Sequence, residues 1–276
     1  MSHHDSRAPL PDDALYYYNQ GREEQRLLRG SGQLEMVRTQ EILRRYLPEP
    51  PATIFDIGGG AGIYAFWLAR LGYQVHLIDA VPLHIEQAHQ AQATEYPLAS
   101  IQVGDARQLT AADGVADVVL LLGPLYHLTE DNDRLRALRE AHRILKPGGM
   151  IFAAIISRFA SLFDGLTRGF LADPEFVPIL ERDLQDGQHR NPDQLPDYFA
   201  TAYFHHPDDL ALELEAVGFA VEAILAIEGP GRLMRDFDTF WADDQQRERL
   251  LHFLRLVESE PTLLGISSHI MGIGRK

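Results

Sequence analysis

The segment Ile54 to Ala80 reads IFDIGGGAGIYAFWLARLGYQVHLIDA. An apolar run carrying Asp56 breaks into glycines, turns helical from about Ile63, and returns as a second apolar run ending at Asp79. Strand, glycine turn, helix and strand follow one another at the size of a βαβ unit, which predicts a nucleotide-binding half-fold. Gly58, Gly60 and Gly62 let the backbone turn sharply and approach a ligand with no Cβ in the way, and the first amides of the helix point at that ligand. Asp79, closing the second strand, is placed to accept hydrogen bonds from two ribose hydroxyls.

Outward from this stretch, the 276 residues are 45% hydrophobic and 24% charged, enough for one large α/β domain with an insertion. A net charge of -15 without a basic run disfavours a nucleic-acid partner. The N-terminus lacks an apolar leader, and no apolar stretch is long enough to span a membrane, so a cytoplasmic protein with no membrane partner, monomer or homodimer, is expected. With no cysteine, thiolate chemistry and disulfides are excluded.

Residues 1 to about 14 read as a flexible lead, and Leu15 to Leu47 as two helices broken near Gly30–Gly32 and stopped at PEPP. Strand candidates follow at Ser100–Val103, Ala116–Leu122, Met150–Ile156, Val221–Ile227 and Gly265–Gly274. The continuous apolar run Ala116–Leu122 suits a strand covered on both faces, at the sheet centre. The turn KPGG is expected to close a helix over Leu135–Leu145 and to feed the next strand. Between Ser157 and His206 turn formers alternate with aromatics, which predicts a partly helical cap. Four segments result: an N-terminal lead and helical lid over 1–50, a Rossmann-like core over 51–156, a substrate cap over 157–206, and completion of the core sheet over 207–276.

A glycine-rich turn alone does not name its ligand. The dinucleotide fingerprint counted from Gly58 and Gly60 would need glycine where Ile63 stands, whereas the sequence supplies Asp-x-Gly-x-Gly-x-Gly from Asp56 to Gly62. In this spacing the chain resembles the class I S-adenosylmethionine-dependent methyltransferases, of the type 11/25-like kind. The resemblance continues through LIDA (Leu77–Ala80), GDARQL (Gly104–Leu109), ADVVLLLGPLYHL (Ala116–Leu128) and LREAHRILKPGGMIFAAI (Leu138–Ile155). It implies a doubly wound, mostly parallel α/β sheet of seven strands with the last one antiparallel. It also implies S-adenosylmethionine as cofactor and S-adenosylhomocysteine as product. By the same resemblance Asp79 holds the ribose, Ala80 lies beside the adenine, Asp105 accepts from the exocyclic amine, Ala106 donates its amide, and Leu122 and Gly123 lie along the methionine portion. Carboxylates at Asp56, Asp79 and Asp105 suit a ligand with an ammonium, two hydroxyls and an amine better than they suit a pyrophosphate.

Two residues after the fourth strand stand out as catalytic candidates. His127 is positioned to take a proton from an acceptor, to hydrogen-bond it, or simply to pack in its loop. Tyr126 either bonds substrate or closes the pocket. Of Tyr16, Tyr17 and Tyr18, Tyr18 is expected at the cofactor, stacking on it or covering the sulfonium, although helix packing explains the tyrosines equally well. Arg38 is expected to pair with the methionine carboxylate. His205 and His206 would face opposite ways on a strand, and without a ligand set like HExxH no metal is expected. Arg158 is expected at the surface. The function expected is methyl transfer to an oxygen or nitrogen of a small molecule. RNA or protein methylation, and non-catalytic binding of the same ligand, are the alternatives.

Overall fold

The computed structural model describes residues 10–21, 26–191, 195 and 198–276. The first nine residues of the expected lead lie outside these, as do 22–25 of the expected lid and 192–194 and 196–197 of the expected cap. The lead's described end is already helical, in α1 (Asp12–Asn19), and α2 (Gly32–Tyr46) follows. The central unit then runs β1 (Thr53–Ile57), α3 (Ile63–Arg70), β2 (Gln74–Asp79), α4 (Pro82–Ala91), β3 (Ser100–Val103), β4 (Ala116–Leu121), α5 (Pro124–His127), α6 (Asp131–Ile144) and β5 (Leu145–Ser157). After it come α7 (Ala160–Arg168), α8 (Phe176–Asp186), β6 (Gln188–His189), β7 (Ala202–His205), α9 (Asp209–Ala216), β8 (Ala220–Ala226), α10 (Phe237–Ala242), α11 (Asp244–Val257), α12 (Pro261–Leu264) and β9 (His269–Arg275).

Strands β3, β2, β1, β4 and β5 lie side by side in parallel, and β9 runs antiparallel between β5 and β8. Strand alternation divides the core cleanly. Phe55, Ile57, Val119, Leu121, Ile151 and Ala153 face one cluster, which includes Ala137, Leu138 and Ala141 of α6 and Leu210 and Leu214 of α9. Ile54, Val118, Leu120, Met150 and Phe152 face the other, built with Ile42 and Leu43 of α2 and Tyr64–Ala69 of α3. A parallel sheet covered on both faces must be apolar on both sides of every central strand, which is why β4 reads as one unbroken run.

The sheet has nine strands rather than the expected seven, because β6 and β7 extend it. Pairing of β4 with β5 ends at Leu121 and Ala153, and Phe204 and His205 of β7 take up the β5 backbone at Ile156 and Ser157. An edge left open there would strand buried amides and carbonyls. β7 is pinned by charge as well. Arg134 is buried, stacks 3.9 Å from the Tyr203 ring, donates to Glu213 at 2.7 Å and to the Leu128 carbonyl at 3.0 Å. Arg158, expected at the surface, donates to the Phe204 carbonyl at 2.7 Å. KPGG does not form a separate turn. It lies within β5, where Ala116 pairs with Leu145 and Val118 with Met150, so the extra residues bulge out.

Arg38 corrects another expectation. Its guanidinium is fully buried, bonded to Glu258, to Glu41 at 2.5 Å and to the Ile227 carbonyl at 3.2 Å. A buried guanidinium must spend its donors on fixed acceptors: the Glu258 tie fastens α2 to the end of α11, the Ile227 tie fastens it to the chain after β8, and Glu41 holds the guanidinium from within α2. Arg38→Ala is therefore expected to lower unfolding stability by about 3–5 kcal/mol. Affinity of the folded protein for S-adenosylhomocysteine should stay within about twofold; denaturant titration and calorimetry check the two readouts.

Candidate cofactor and acceptor site

The strand order reverses between β1 and β4, and ligands of open α/β sheets bind at the carboxyl ends of strands beside such a reversal. A cavity of about 360 Å³ opens there. Its floor is the glycine turn. Gly58 has φ +71°, and a Cβ on it would stand 2.6 Å from the Pro124 ring. One on Gly59 would stand 2.4 Å from Oδ2 of Asp56. Glycine is thus required twice, once by the backbone angle and once because the turn presses onto the carboxylate beneath it.

Asp56 is fully buried, and neither carboxylate oxygen has a hydrogen-bond partner among the described residues. Burial, reinforced by the charge of Asp79 and opposed by the nearby Ala65 amide, pushes its pKa up to about 7. Such a group calls for a cationic donor. Asp79 is differently placed. Its Oδ2 accepts from the Gly60 amide at 2.8 Å, and its Oδ1 accepts from the Val81 amide at 2.9 Å and lies 3.0 Å from Nδ1 of His84. It stitches the end of β2 to the glycine turn and to α4.

Ala80, Asp105, Ala106, Leu122 and Gly123 all line the cavity with Gly58, Gly60, Asp56 and Asp79. Gly62 instead caps α3, at φ +90°. The Asp105 carboxylate faces Arg107, accepting from its amide at 2.8 Å and from its guanidinium at 2.7 and 3.1 Å. Arg107 also reaches Asp133 at 2.8 Å. The expected acceptor for an exocyclic amine is therefore already in a charge-assisted pair, a partner that no spacing in the sequence announced.

His127, Tyr126 and Tyr18 also line the cavity. The Tyr18 hydroxyl lies 2.6 Å from Nε2 of His127, and Tyr18 packs edge-on against His84, His127 and Tyr17. Burial lowers the His127 pKa to about 4, against smaller opposing effects of the Thr201 backbone and of Asp79 and Asp13. The imidazole is neutral at pH 7, with Nε2 engaged by the tyrosine. Helix α1 is tied to the chain before β7 by the Thr201 amide, which donates to Asp13 at 2.8 Å. Arg38 is absent from the cavity wall, which carries Arg26 and Arg70 instead; Arg26 is paired with Glu35, and Arg70 with Glu95.

A second cavity, about 310 Å³, lies under the segment between β5 and β7. Tyr17, Phe170, Phe176, Tyr198, Phe199 and Phe204 line it, with Asp164 and Arg168. A buried tie stiffens one side: Asp183 accepts from Ser161 at 2.5 Å and lies 2.8 Å from Nδ1 of His189, whose Nε2 meets the Phe199 carbonyl at 3.1 Å. Tyr18, Arg26, Tyr126 and His269 border both cavities.

His269 was not foreseen, because the first residue of a late strand carries no motif. Its Nδ1 lies 2.6 Å from Oε1 of Glu228 and 3.7 Å from Oε2 of Glu35. Burial alone would lower its pKa, but Glu35 and Glu228 outweigh burial and Arg26 and raise it. Glu35, Glu228 and His269 bring potential metal-ligand atoms within 4.8 Å of one another. Glu228 has both oxygens occupied, however: Oε2 accepts from Ser267 Oγ and from the His269 amide, each at 2.9 Å, while Oε1 takes Nδ1. The group is an ion-pair cluster. His205 and His206 do not converge on one site either, since His205 lies 3.6 Å from Glu213 and His206 3.7 Å from Asp208.

A family model described as a methyltransferase domain matches residues 55–153. This segment is thus similar to a methyltransferase domain, in keeping with the class I resemblance of its motifs. The cofactor of that class is S-adenosylmethionine. The chain is 35% identical over 107 residues to a ubiquinone biosynthesis O-methyltransferase of Caulobacter vibrioides, covering 38% of this chain and 41% of that one. It is 36% identical over 120 residues to the protein of the same name from Methylobacterium nodulans, covering 42% and 45%. The match thus spans less than half the length of these curated relatives. Among solved structures, S-adenosylmethionine-dependent methyltransferases of Methanosarcina mazei and Mesorhizobium loti share the fold. The first has a TM-score of 0.57 at 21% identity over 85% of this chain and 96% of its own; the second has 0.58 at 19% over 88% and 100%. No helix among the described residues is long and apolar enough to cross a membrane.

Two outcomes follow from the carboxylates. Asp79→Ala is expected to weaken S-adenosylhomocysteine binding by about 1–3 kcal/mol, the Gly60 amide losing its acceptor together with the ribose contact expected of this residue; calorimetric titration reads this. Asp56 sets a pH dependence. Its folded pKa lies above the ordinary 3.8, so it destabilises the fold above that pH, increasingly up to about 7 and constantly beyond. A bound ammonium favours the carboxylate, so S-adenosylhomocysteine affinity should rise with pH through about 7 and then level off. Asp56→Asn should flatten that profile.

Proposed function

We propose that this chain transfers a methyl group from S-adenosylmethionine to a hydroxyl oxygen of a small aromatic molecule. The observation that carries this reading is the shared wall of Tyr18, Arg26, Tyr126 and His269 between a carboxylate-floored cavity and an aromatic chamber. The first cavity fits the cofactor. Asp56 offers orphaned oxygens to its ammonium, Asp79 offers acceptor oxygens to the ribose, and Arg26 brings a guanidinium to the carboxylate end. When bound, the cofactor supplies an electrophilic methyl on a sulfonium, so the protein's part is to aim an acceptor oxygen at it and exclude water.

The segment 157–206, in this reading, is the cap that selects the acceptor. Eight tyrosine and phenylalanine side chains and one aspartate–arginine pair at the chamber suit a flat ring bearing a polar group. The name of the curated relatives, O-methyltransferase, supports oxygen over nitrogen. His127 holds Tyr18 in the wall rather than serving as the free base. A net charge of -15 argues against RNA as acceptor.

The test is transfer of labelled methyl from S-adenosylmethionine to a panel of phenols and catechols, with bulk tRNA, cell protein and aliphatic amines in parallel. Methyl ethers among the phenols are the expected product. Labelled tRNA or protein with unlabelled phenols would overturn the reading. So would tight NAD binding without any heat from S-adenosylmethionine.

A further inference from the structure

Within the ion-pair cluster on the shared wall, Glu228 and His269 have the geometry of an acid–base dyad. Glu228 is buried in the turn after β8, and its carboxylate is fixed from three directions. Ser267 Oγ donates to Oε2 while itself accepting from the Glu228 and Gly229 amides at 3.1 and 2.9 Å. The His269 amide donates to the same oxygen. Oε1 is thereby aimed at Nδ1 of His269, 2.6 Å away. An imidazole whose Nδ1 proton is held by a buried carboxylate has its lone pair on Nε2. Among the described residues nothing hydrogen-bonds to that nitrogen, and with Nδ1 turned into the carboxylates it is the nitrogen left for the cavities that His269 borders.

We infer that His269 is the general base that takes the acceptor's hydroxyl proton on Nε2, with Glu228 as the residue that positions it. The inference rests on the proposed methyl transfer to an aromatic hydroxyl. As the acceptor oxygen bonds to the methyl carbon, the carbon–sulfur electron pair leaves with the sulfur, the hydroxyl proton passes to Nε2, and water later takes it from the imidazolium. The groups facing His269 are Glu228 from the turn, Glu35 and Arg26 from the N-terminal segment, and the Tyr126 ring at 6.4 Å. Glu228 and Glu35 strengthen the imidazole as a base, and Arg26 opposes them. A base stronger than free imidazole is better matched to a phenol, whose pKa is about 10. His127 is the weaker candidate: its pKa lies near 4, and Tyr18 occupies its Nε2.

Two readouts separate this inference from the reading beneath it. Nitrogen-resolved NMR of the histidine rings in the full chain with S-adenosylhomocysteine needs no turnover. It should find neutral His269 protonated on Nδ1 and its pKa above 6.5, with Glu228→Gln lowering that pKa and mixing the tautomers. A proton on Nε2 in the neutral form would overturn the dyad. The second readout is 4-nitrocatechol, a chromogenic phenol, titrated into the same complex. Wild type should bind it as the phenolate at a pH at least about tenfold in proton concentration below its free pKa, and His269→Gln should bind it without that shift. Binding with no shift in wild type would overturn the base. Failure to bind would count against an aromatic hydroxyl acceptor, and the NMR result would still decide the dyad. On any phenol that wild type methylates, His269→Gln should lower kcat by roughly 10²–10⁴-fold while leaving S-adenosylhomocysteine affinity unchanged. Glu228→Gln should lower kcat more than it raises KM, and should move the acid limb of the pH profile downward.

Discussion

A carboxylate with no hydrogen-bond partner among the described residues, pressed beneath a glycine turn, is the constraint around which this site is built. Asp56 can be buried there only because the turn over it has no side chains, and Gly59 leaves no room for even one carbon. Desolvating an acid beside a second acid makes its charged form expensive, so the empty site favours the proton and a cationic ligand reverses that preference. Asp79 does the opposite work. It is supplied with amides, and through them it holds the glycine turn against the end of β2. One carboxylate awaits a charge and its neighbour fixes geometry.

The cations are disposed with the same economy. Arg38 and Arg134 are buried and spent on structure, the first fastening α2 and the second fastening β7. Arg26, paired with Glu35, borders both cavities, and Arg70, paired with Glu95, borders the first. The histidines divide likewise. His127 and His189 each have Nε2 engaged, by Tyr18 and by the Phe199 carbonyl, whereas His269 has Nδ1 engaged by Glu228 and no hydrogen-bond partner at Nε2 among the described residues.

The central βαβ units were legible because their signal is local. Apolar runs, glycines at fixed offsets and acids at strand ends are all read within a few residues, and β1, β2, β3 and β4 fall where those patterns lie. Most residues expected around the cofactor do border one cavity, since the topology brings strand ends together. What escaped was non-local. β6 and β7 are too short to show alternation and exist because β5 outruns β4. Arg38 and Arg26 stand twelve residues apart, and the contacts that bury Arg38, at Ile227 and Glu258, lie far along the chain. The Glu228–His269 pair joins a turn to the first residue of a strand 41 residues on, with no motif at either.

The central claim is that the carboxylate-floored cavity holds S-adenosylmethionine with its methyl directed at the wall shared with the aromatic chamber. A crystal structure with S-adenosylhomocysteine tests this most directly. The account predicts the ribose on Asp79, the ammonium within hydrogen-bonding distance of Asp56, and the sulfur facing His269 and Tyr126. A sulfur pointing toward Arg70 and Glu95, or an adenosine seated among Phe170, Phe176 and Tyr198, would contradict it.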